Sequence, residues 1–286
     1  MLYLRRFQLQ VEAAEWSFLA NAPESKRTCY SSRYPFGFFP PKKMPVLTFA
    51  PITILCGGNG SGKTTLLNLI GESLSLPRKT VYNRSAFFND YLRLCASETA
   101  VSFTPTVRQQ SRVITSDDVF DYLLDLRCMN EGIGVRQREL LAEYVEKRHA
   151  ELRFHSLEDL DALRDTVDAQ RKSGSQYVHS RIANDIPEKS NGESAFLYFT
   201  REIGQKALYL LDEPENSLSA QLQLELKQFL EDSVRFYGCQ LIIATHSPFL
   251  LSLKDAEIYD LDRRRGSSRG CRRGTAACRS GSCYRR

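Results

Sequence analysis

The chain has 286 residues, 42% of them hydrophobic and 26% charged, with a formal net charge of +5. That is the length and composition of a globular chain with one large domain or two small ones, and no run of about 18 apolar residues offers a membrane span. Eight cysteines are too few for a disulfide scaffold of this size and lack CxxC spacing, so neither a small secreted scaffold nor a structural zinc site is expected.

Read from the N-terminus, MLYLRRFQLQVEAAEW alternates and carries charge where a secretory signal would have an apolar core, so a reducing cytoplasm is the expected compartment. The alternation predicts a strand over 2–11. The aromatic stretch 29–43, with three prolines and one glycine, reads as a loop or small insertion. Short apolar runs at 46–49 and 52–56 follow, and the second feeds into GGNGSGKTT at 57–65. Residues 65–76 carry apolar side chains at helical spacing until Pro77 stops them. Helical stripes then occupy 119–126, 140–145 and 157–167, predicting a lobe of three or more helices with solvated outer faces. Strands are expected at 207–211, 240–244 and 257–261, with a helix between the first two that Gly238 ends. This β-α-β order predicts a parallel α/β sheet.

The charge is unevenly placed. Residues 263–286 hold nine arginines and no Lys, Asp or Glu, which leaves the first 262 residues at −4. This tail has no periodicity and is expected to be disordered. It reads either as a nucleic-acid-binding arm, since arginine density supplies phosphate contacts, or as sequence without a role.

Two stretches carry chemistry. In Gly57-x-x-x-x-Gly62-Lys63-Thr64 the glycines let backbone N–H groups of Gly57, Gly58, Asn59, Gly60, Ser61, Gly62 and Thr65 turn toward phosphate oxygens, at the positive end of the following helix. Lys63 is placed to reach the β- and γ-phosphates of a nucleotide, and the Thr64 hydroxyl to ligate Mg²⁺. The dinucleotide fingerprint does not apply, because GxGxxG spacing is absent. In LYLLDEP, Asp212 emerges at the C-terminal end of a buried strand, where it can hold Mg²⁺, and Glu213 is placed to polarise an attacking water.

Together with SNGES at 190–194, YLLDEPENSLS at 209–219 and ATHSP at 244–248, the loop resembles the motif set of the ABC-class ATPases. The closest likeness is to their stand-alone members related to the chromosome-maintenance and RecF-like group, over about residues 1–262. The resemblance implies an ABC-type P-loop NTPase fold with a nucleotide-binding α/β lobe (1–118 and 195–262) and a helical lobe (119–194). It implies that Ser190 and Gly192 cap the γ-phosphate of ATP held by a second subunit, and that His246 contacts the γ-phosphate of its own ATP. Taken alone, SNGES is also a good turn and His246 a capping or packed histidine.

The motif set departs from the family at several positions. Asn191 and Glu193 stand where transporter ATPases carry glycine and glutamine, and Ser219 where many members carry an aspartate. Gln109, Gln110, Ser116 and Asp117 are candidates for the loop that normally holds a glutamine. Tyr30, Tyr34 and Phe36 are candidates for stacking the base, with a packed aromatic loop as the alternative. The expected activity is hydrolysis of ATP by a nucleotide-dependent head-to-tail homodimer, coupled to DNA or an effector protein. The alternatives are a slow nucleotide-gated binding module and a transporter's nucleotide-binding subunit.

Overall fold

A computed structural model describes residues 1–21, 32–42, 46–149, 167, 171–181, 190–262 and 269–270. The chain divides into two compact units, Met1–Val119 with Asn191–Arg286, and Phe120–Ser190.

The first unit opens with β1 (Leu4–Gln8), α1 (Glu12–Asn21), β2 (Leu47–Thr48), β3 (Ile52–Cys56) and α2 (Lys63–Ser73). It continues with α3 (Phe88–Leu94), β4 (Ala96–Thr99), α4 (Pro105–Gln110) and β5 (Arg112–Thr115), then α5 (Ser116–His149), which runs on into the second unit. The strand expected at 2–11 is thus five residues long and gives way to a helix. In the second unit α6 (Gly174–His179) follows. The first unit resumes with α7 (Asn191–Glu202), β6 (Leu208–Asp212), α8 (Ala220–Tyr237), β7 (Gln240–Ala244), β8 (Glu257–Asp260) and β9 (Arg269–Gly270).

The large sheet runs β5-β6-β7-β3-β8-β9. Its first five strands are mutually parallel, and only β9 is antiparallel. Every residue of β7 is buried, as are four of the five in β3 and in β6, as a sheet covered on both faces requires. A second, antiparallel sheet runs β2-β1-β4. The Gln240 side chain, fully buried, joins the two sheets. Its Oε1 accepts from the amides of Tyr3 (2.7 Å) and Leu4 (2.9 Å), and its Nε2 donates to the carbonyls of Leu4 (2.9 Å) and Ala50 (3.2 Å). All four polar valences of the amide are used, so it is buried without the usual penalty.

α2 is buried almost all round, through Leu66, Leu67, Leu69 and Ile70, where truncating one such side chain to alanine costs about 2–5 kcal/mol. Gly71 lets the helix lie against the sheet, because a Cβ there would stand 2.9 Å from Val113 Cγ2. In α8, Ser219 caps the N-terminus by accepting from the Leu222 amide (3.4 Å), and Gly238 ends it in the left-handed region at φ 68°.

Within the second unit, the stripes expected to be separate helices at 119–126 and 140–145 lie on the single 34-residue helix α5. Gly132 and Gly134 interrupt the stripe without ending the helix, at a cost of about 0.5–1 kcal/mol each relative to alanine. Leu140 and Tyr144 of α5 bury against Tyr177 and Val178 of α6. The third stripe lies outside the described residues except Val167, which is helical. The tail expected to be disordered is described only at Arg269–Gly270, and there the expectation fails. These residues pair with Ile258 and Glu257 as β9, using the backbone that β8 would otherwise leave open at the sheet edge.

Candidate functional site

Strand β3 delivers the chain to the glycine loop, and α2 begins directly after it. Gly62 occupies the cap position at φ 96°, a conformation that strains any residue with a Cβ, and a Cβ there would also stand 2.4 Å from Phe38 Cε1. Lys63 is only 4% exposed, and its Nζ donates to the carbonyls of Gly57 (2.9 Å) and Gly58 (3.1 Å), 3.8 Å from Glu213 Oε1. Ser61 Oγ is buried without a hydrogen-bond partner among the described residues. Around the loop lies an open pocket of about 370 Å³, lined by Tyr34, Phe38, residues 59–65 and Glu213.

The second motif arrives from β6, whose neighbours are β5 and β7. Asp212 ends that strand and accepts from Thr64 Oγ1 (3.1 Å). Burial pushes its carboxyl up to about 6, and the negative charges of Glu213 and Glu215 push the same way, against the Thr64 hydrogen bond and Lys63. Glu213 takes a left-handed φ of 48°, with its amide donating to the Ala244 carbonyl (2.8 Å), and its Oε2 accepts from Asn216 Nδ2 (3.3 Å). A glutamate in this region costs of order 1–3 kcal/mol, a strain that clusters at functional sites.

His246 follows β7 and stays half-exposed, with Nδ1 3.6 Å from Glu213 Oε1 and 3.4 Å from Glu215 Oε1. The structure therefore brings Lys63, Thr64, Asp212, Glu213 and His246 together at the ends of three adjacent strands, β3, β7 and β6. Gly192 lies in the first turn of α7, where a Cβ would stand 2.8 Å from Leu222 Cδ1 and 3.2 Å from the Ser217 carbonyl. Ser190 immediately precedes that helix and is exposed. Gln109 and Gln110 sit within α4, ahead of β5, whereas Ser116 and Asp117 follow β5 at its C-terminal end.

Three contributors escaped the sequence reading. Asp262 accepts from the Gly58 amide (2.7 Å), and Lys42 Nζ donates to the carbonyls of Ser61 (2.6 Å) and Leu261 (3.1 Å), so both brace the loop from outside. Glu215 is the third. Of the aromatic candidates, Tyr34 lines the pocket and hydrogen-bonds Thr65 through its hydroxyl. Phe36 follows the packed-loop reading: it is buried, stacked on Phe18 with ring centroids 5.3 Å apart, and belongs to the core. Phe38, not Phe36, lines the pocket, while Tyr30 lies outside the described residues.

The residues fit a Mg²⁺-bound nucleoside triphosphate. The buried, unpartnered Ser61 hydroxyl lies inside a loop whose glycines leave backbone as its lining, and the Thr64–Asp212 pair supplies two oxygen donors of the kind that Mg²⁺ takes.

Comparison with known proteins bears on this geometry. Residues 138–252 match the family described as "AAA domain, putative AbiEii toxin, Type IV TA system". The chain is 26% identical, over 212 residues, to "Putative ABC transporter ATP-binding protein MG065" of Mycoplasma genitalium, covering 73% of this chain and 39% of that protein. The chain is thus similar to ATP-binding proteins of the ABC class. The chain is also 26% identical to "Protein ea59" of Escherichia phage lambda, across 68% of its own length and 45% of the phage protein's. It spans less than half the length of either relative. Among solved structures, it is similar to the ATP-binding cassette MJ0796 bound to ADP and Pi, at 16% identity and a TM-score of 0.39, covering 80% of this chain and 90% of that one. A similar match is the SmcHead bound to the C-winged helix domain of ScpA, at 14% identity and a TM-score of 0.38, covering 75% and 88%. No helix among the described residues is long and apolar enough to cross a membrane.

Proposed function

We propose that this protein binds ATP with Mg²⁺ at the 57–65 loop and hydrolyses it, and that two copies close head-to-tail around two nucleotides. One observation carries the reading: Lys63, Asp212 with Thr64, Glu213 and His246 converge at the ends of three adjacent strands, and Glu213 Oε1 lies within 3.8 Å of both Lys63 Nζ and His246 Nδ1. Loop amides and Lys63 hold the phosphates, and Thr64 and Asp212 hold Mg²⁺, which when bound neutralises charge on the β- and γ-oxygens. Lys63 turns from the Gly57 and Gly58 carbonyls to the phosphate oxygens. Water attacks the γ-phosphorus, the bond to the bridging oxygen breaks, and Glu213 receives the proton from water. His246 donates a hydrogen bond to the γ-phosphate. Phosphoryl transfer demands mainly positioning and charge, which these groups supply.

The homodimer reading assigns Ser190 and Gly192 to the ATP of the other copy. The motif resemblance of SNGES at 190–194 supports it. Hydrolysis would then serve as a timed release from DNA or an effector protein, a partner class supported by the motif resemblance and the arginine-rich 263–286 segment.

Glu213→Gln tests the central step, because it keeps the shape and loses the proton acceptor. The variant is expected to bind ATP, lose hydrolysis by about 100-fold or more, and elute as a stable dimer in ATP and Mg²⁺. Wild-type turnover in this variant would reduce Glu213 to a strand-end carboxylate.

A further inference from the structure

Glu215 is 5% exposed, yet it has no part in the chemistry described so far. Its Oε1 gathers three donors from the segment that follows β7: Thr245 Oγ1 at 2.6 Å, the His246 amide at 2.9 Å and the Ser247 amide at 3.1 Å. The same oxygen lies 3.4 Å from His246 Nδ1. Oε2 is buried with no hydrogen-bond partner among the described residues. Desolvating a carboxylate costs several kcal/mol, and one oxygen left bare in the interior adds to that cost. A turn that only had to be folded would not need this group. What the placement accomplishes is specific: the carboxylate ties the strand-end turn that bears Glu213 to the backbone that bears His246. The tie extends further, since Ser247 Oγ donates to Gln223 Oε1 (2.7 Å) and Gln223 Nε2 donates to the Leu218 carbonyl (3.0 Å).

We propose that Glu215 is a positioning residue for hydrolysis, which clamps Thr245, His246 and Ser247 and aims the His246 ring at the nucleotide. The proposal rests on the ATPase reading above. With Glu215 in place, the Thr245 hydroxyl and the His246 and Ser247 amides are tied to one oxygen, so the backbone that carries the ring is fixed and the ring direction is set. Without it, nothing else in the hydrogen-bonding of the described residues joins the backbone of His246 to the turn after Asp212. ATP affinity should be almost untouched, because Glu215 contacts neither the loop nor Lys63; turnover should fall, because His246 acts at the γ-phosphate.

The test uses the full chain with Glu215→Ala, Glu215→Gln, His246→Ala and the double variant Glu215→Ala/His246→Ala. Glu215→Ala is expected to lose about 10–100-fold in kcat, the range found when a supporting group is removed, with little change in KM or in ATP affinity by calorimetry. Glu215→Gln keeps an acceptor oxygen and should recover most of that loss. In the His246→Ala background, removing Glu215 should cost nothing further, since its effect passes through the ring. Hydrogen exchange gives a readout independent of turnover: the His246 and Ser247 amides should exchange faster in Glu215→Ala and at near wild-type rates in Glu215→Gln. If Glu215→Ala does not fold, Thr245→Val removes one of the three bonds and should show a smaller loss with the same pattern. Wild-type kcat in Glu215→Ala, an additive loss in the double variant, or unchanged amide exchange would each overturn the proposal. Absence of ATP hydrolysis in the wild type would instead overturn the ATPase reading beneath it.

Discussion

Lys63 is nearly inaccessible, and its ammonium rests on two carbonyls of its own loop, with a carboxylate 3.8 Å away. A lysine held this way has already lost its side-chain freedom, so turning to phosphate costs little in conformational entropy. Lys63→Ala should weaken ATP binding by roughly 10–150-fold, the equivalent of about 1.5–3 kcal/mol for hydrogen bonds to a charged group. Calorimetry checks this, and equal affinity in mutant and wild type would remove the lysine from binding. This residue was legible in the sequence because its chemistry tolerates few substitutes: a cation after a glycine turn at a helix start has one common use. Glu215 was not legible. A glutamate after proline in a turn ordinarily faces water, and only the fold shows that three donors converge on it. Phe38 escaped for a related reason, since nothing in GFF says which ring faces the loop and which the core.

Between elements, a partly exposed ion cluster joins α7 to the start of β5. Glu202 hydrogen-bonds Lys79 (2.8 Å) and pairs with Arg112. Burial pushes its carboxyl up, but the two cations outweigh burial and hold it below its ordinary value of 4.5. A depressed acid contributes stability that is present above its unfolded pKa and lost as pH falls through the lower folded value. Between about pH 5 and pH 3 the wild type should therefore lose melting temperature more steeply than Glu202→Gln. Parallel slopes for the two proteins would show that the cluster contributes nothing.

The elements themselves were legible to differing degrees. β3, β6 and β7 are short apolar runs bounded by breakers, and α8 has a clean stripe between Ser219 and Gly238, so pattern sufficed. α1 was missed because its apolar residues spread around the helix, leaving Trp16 66% exposed. β4 was missed because all four of its residues are exposed; it is a strand only through pairing with β1.

For the molecule as a whole, the proposal that Ser190 serves ATP on the other copy makes a prediction no single chain can satisfy. Ser190→Arg and Lys63→Ala should each be inactive, because every site in either homodimer has one broken half. Mixing them should restore hydrolysis, highest near equal amounts, since one site in each mixed dimer is then intact. A labelled-subunit control must show that mixed dimers form. Mixed dimers without activity would mean either that the signature serves its own chain or that both sites must fire together; wild type mixed with the Ser190→Arg/Lys63→Ala double mutant separates these, since unchanged activity per wild-type chain would overturn sharing.

The approach of α2 to the sheet at Gly71 has a consequence for how this sequence can change. With 2.9 Å separating a would-be Cβ from Val113 Cγ2, the helix that carries Lys63 and Thr64 and the strand beside Asp212 share a single volume. Neither position drifts alone. A methyl gained at residue 71 has to be given up at residue 113, so Val113→Ala is expected to restore the melting temperature lost in Gly71→Ala, although neither position lines the loop pocket.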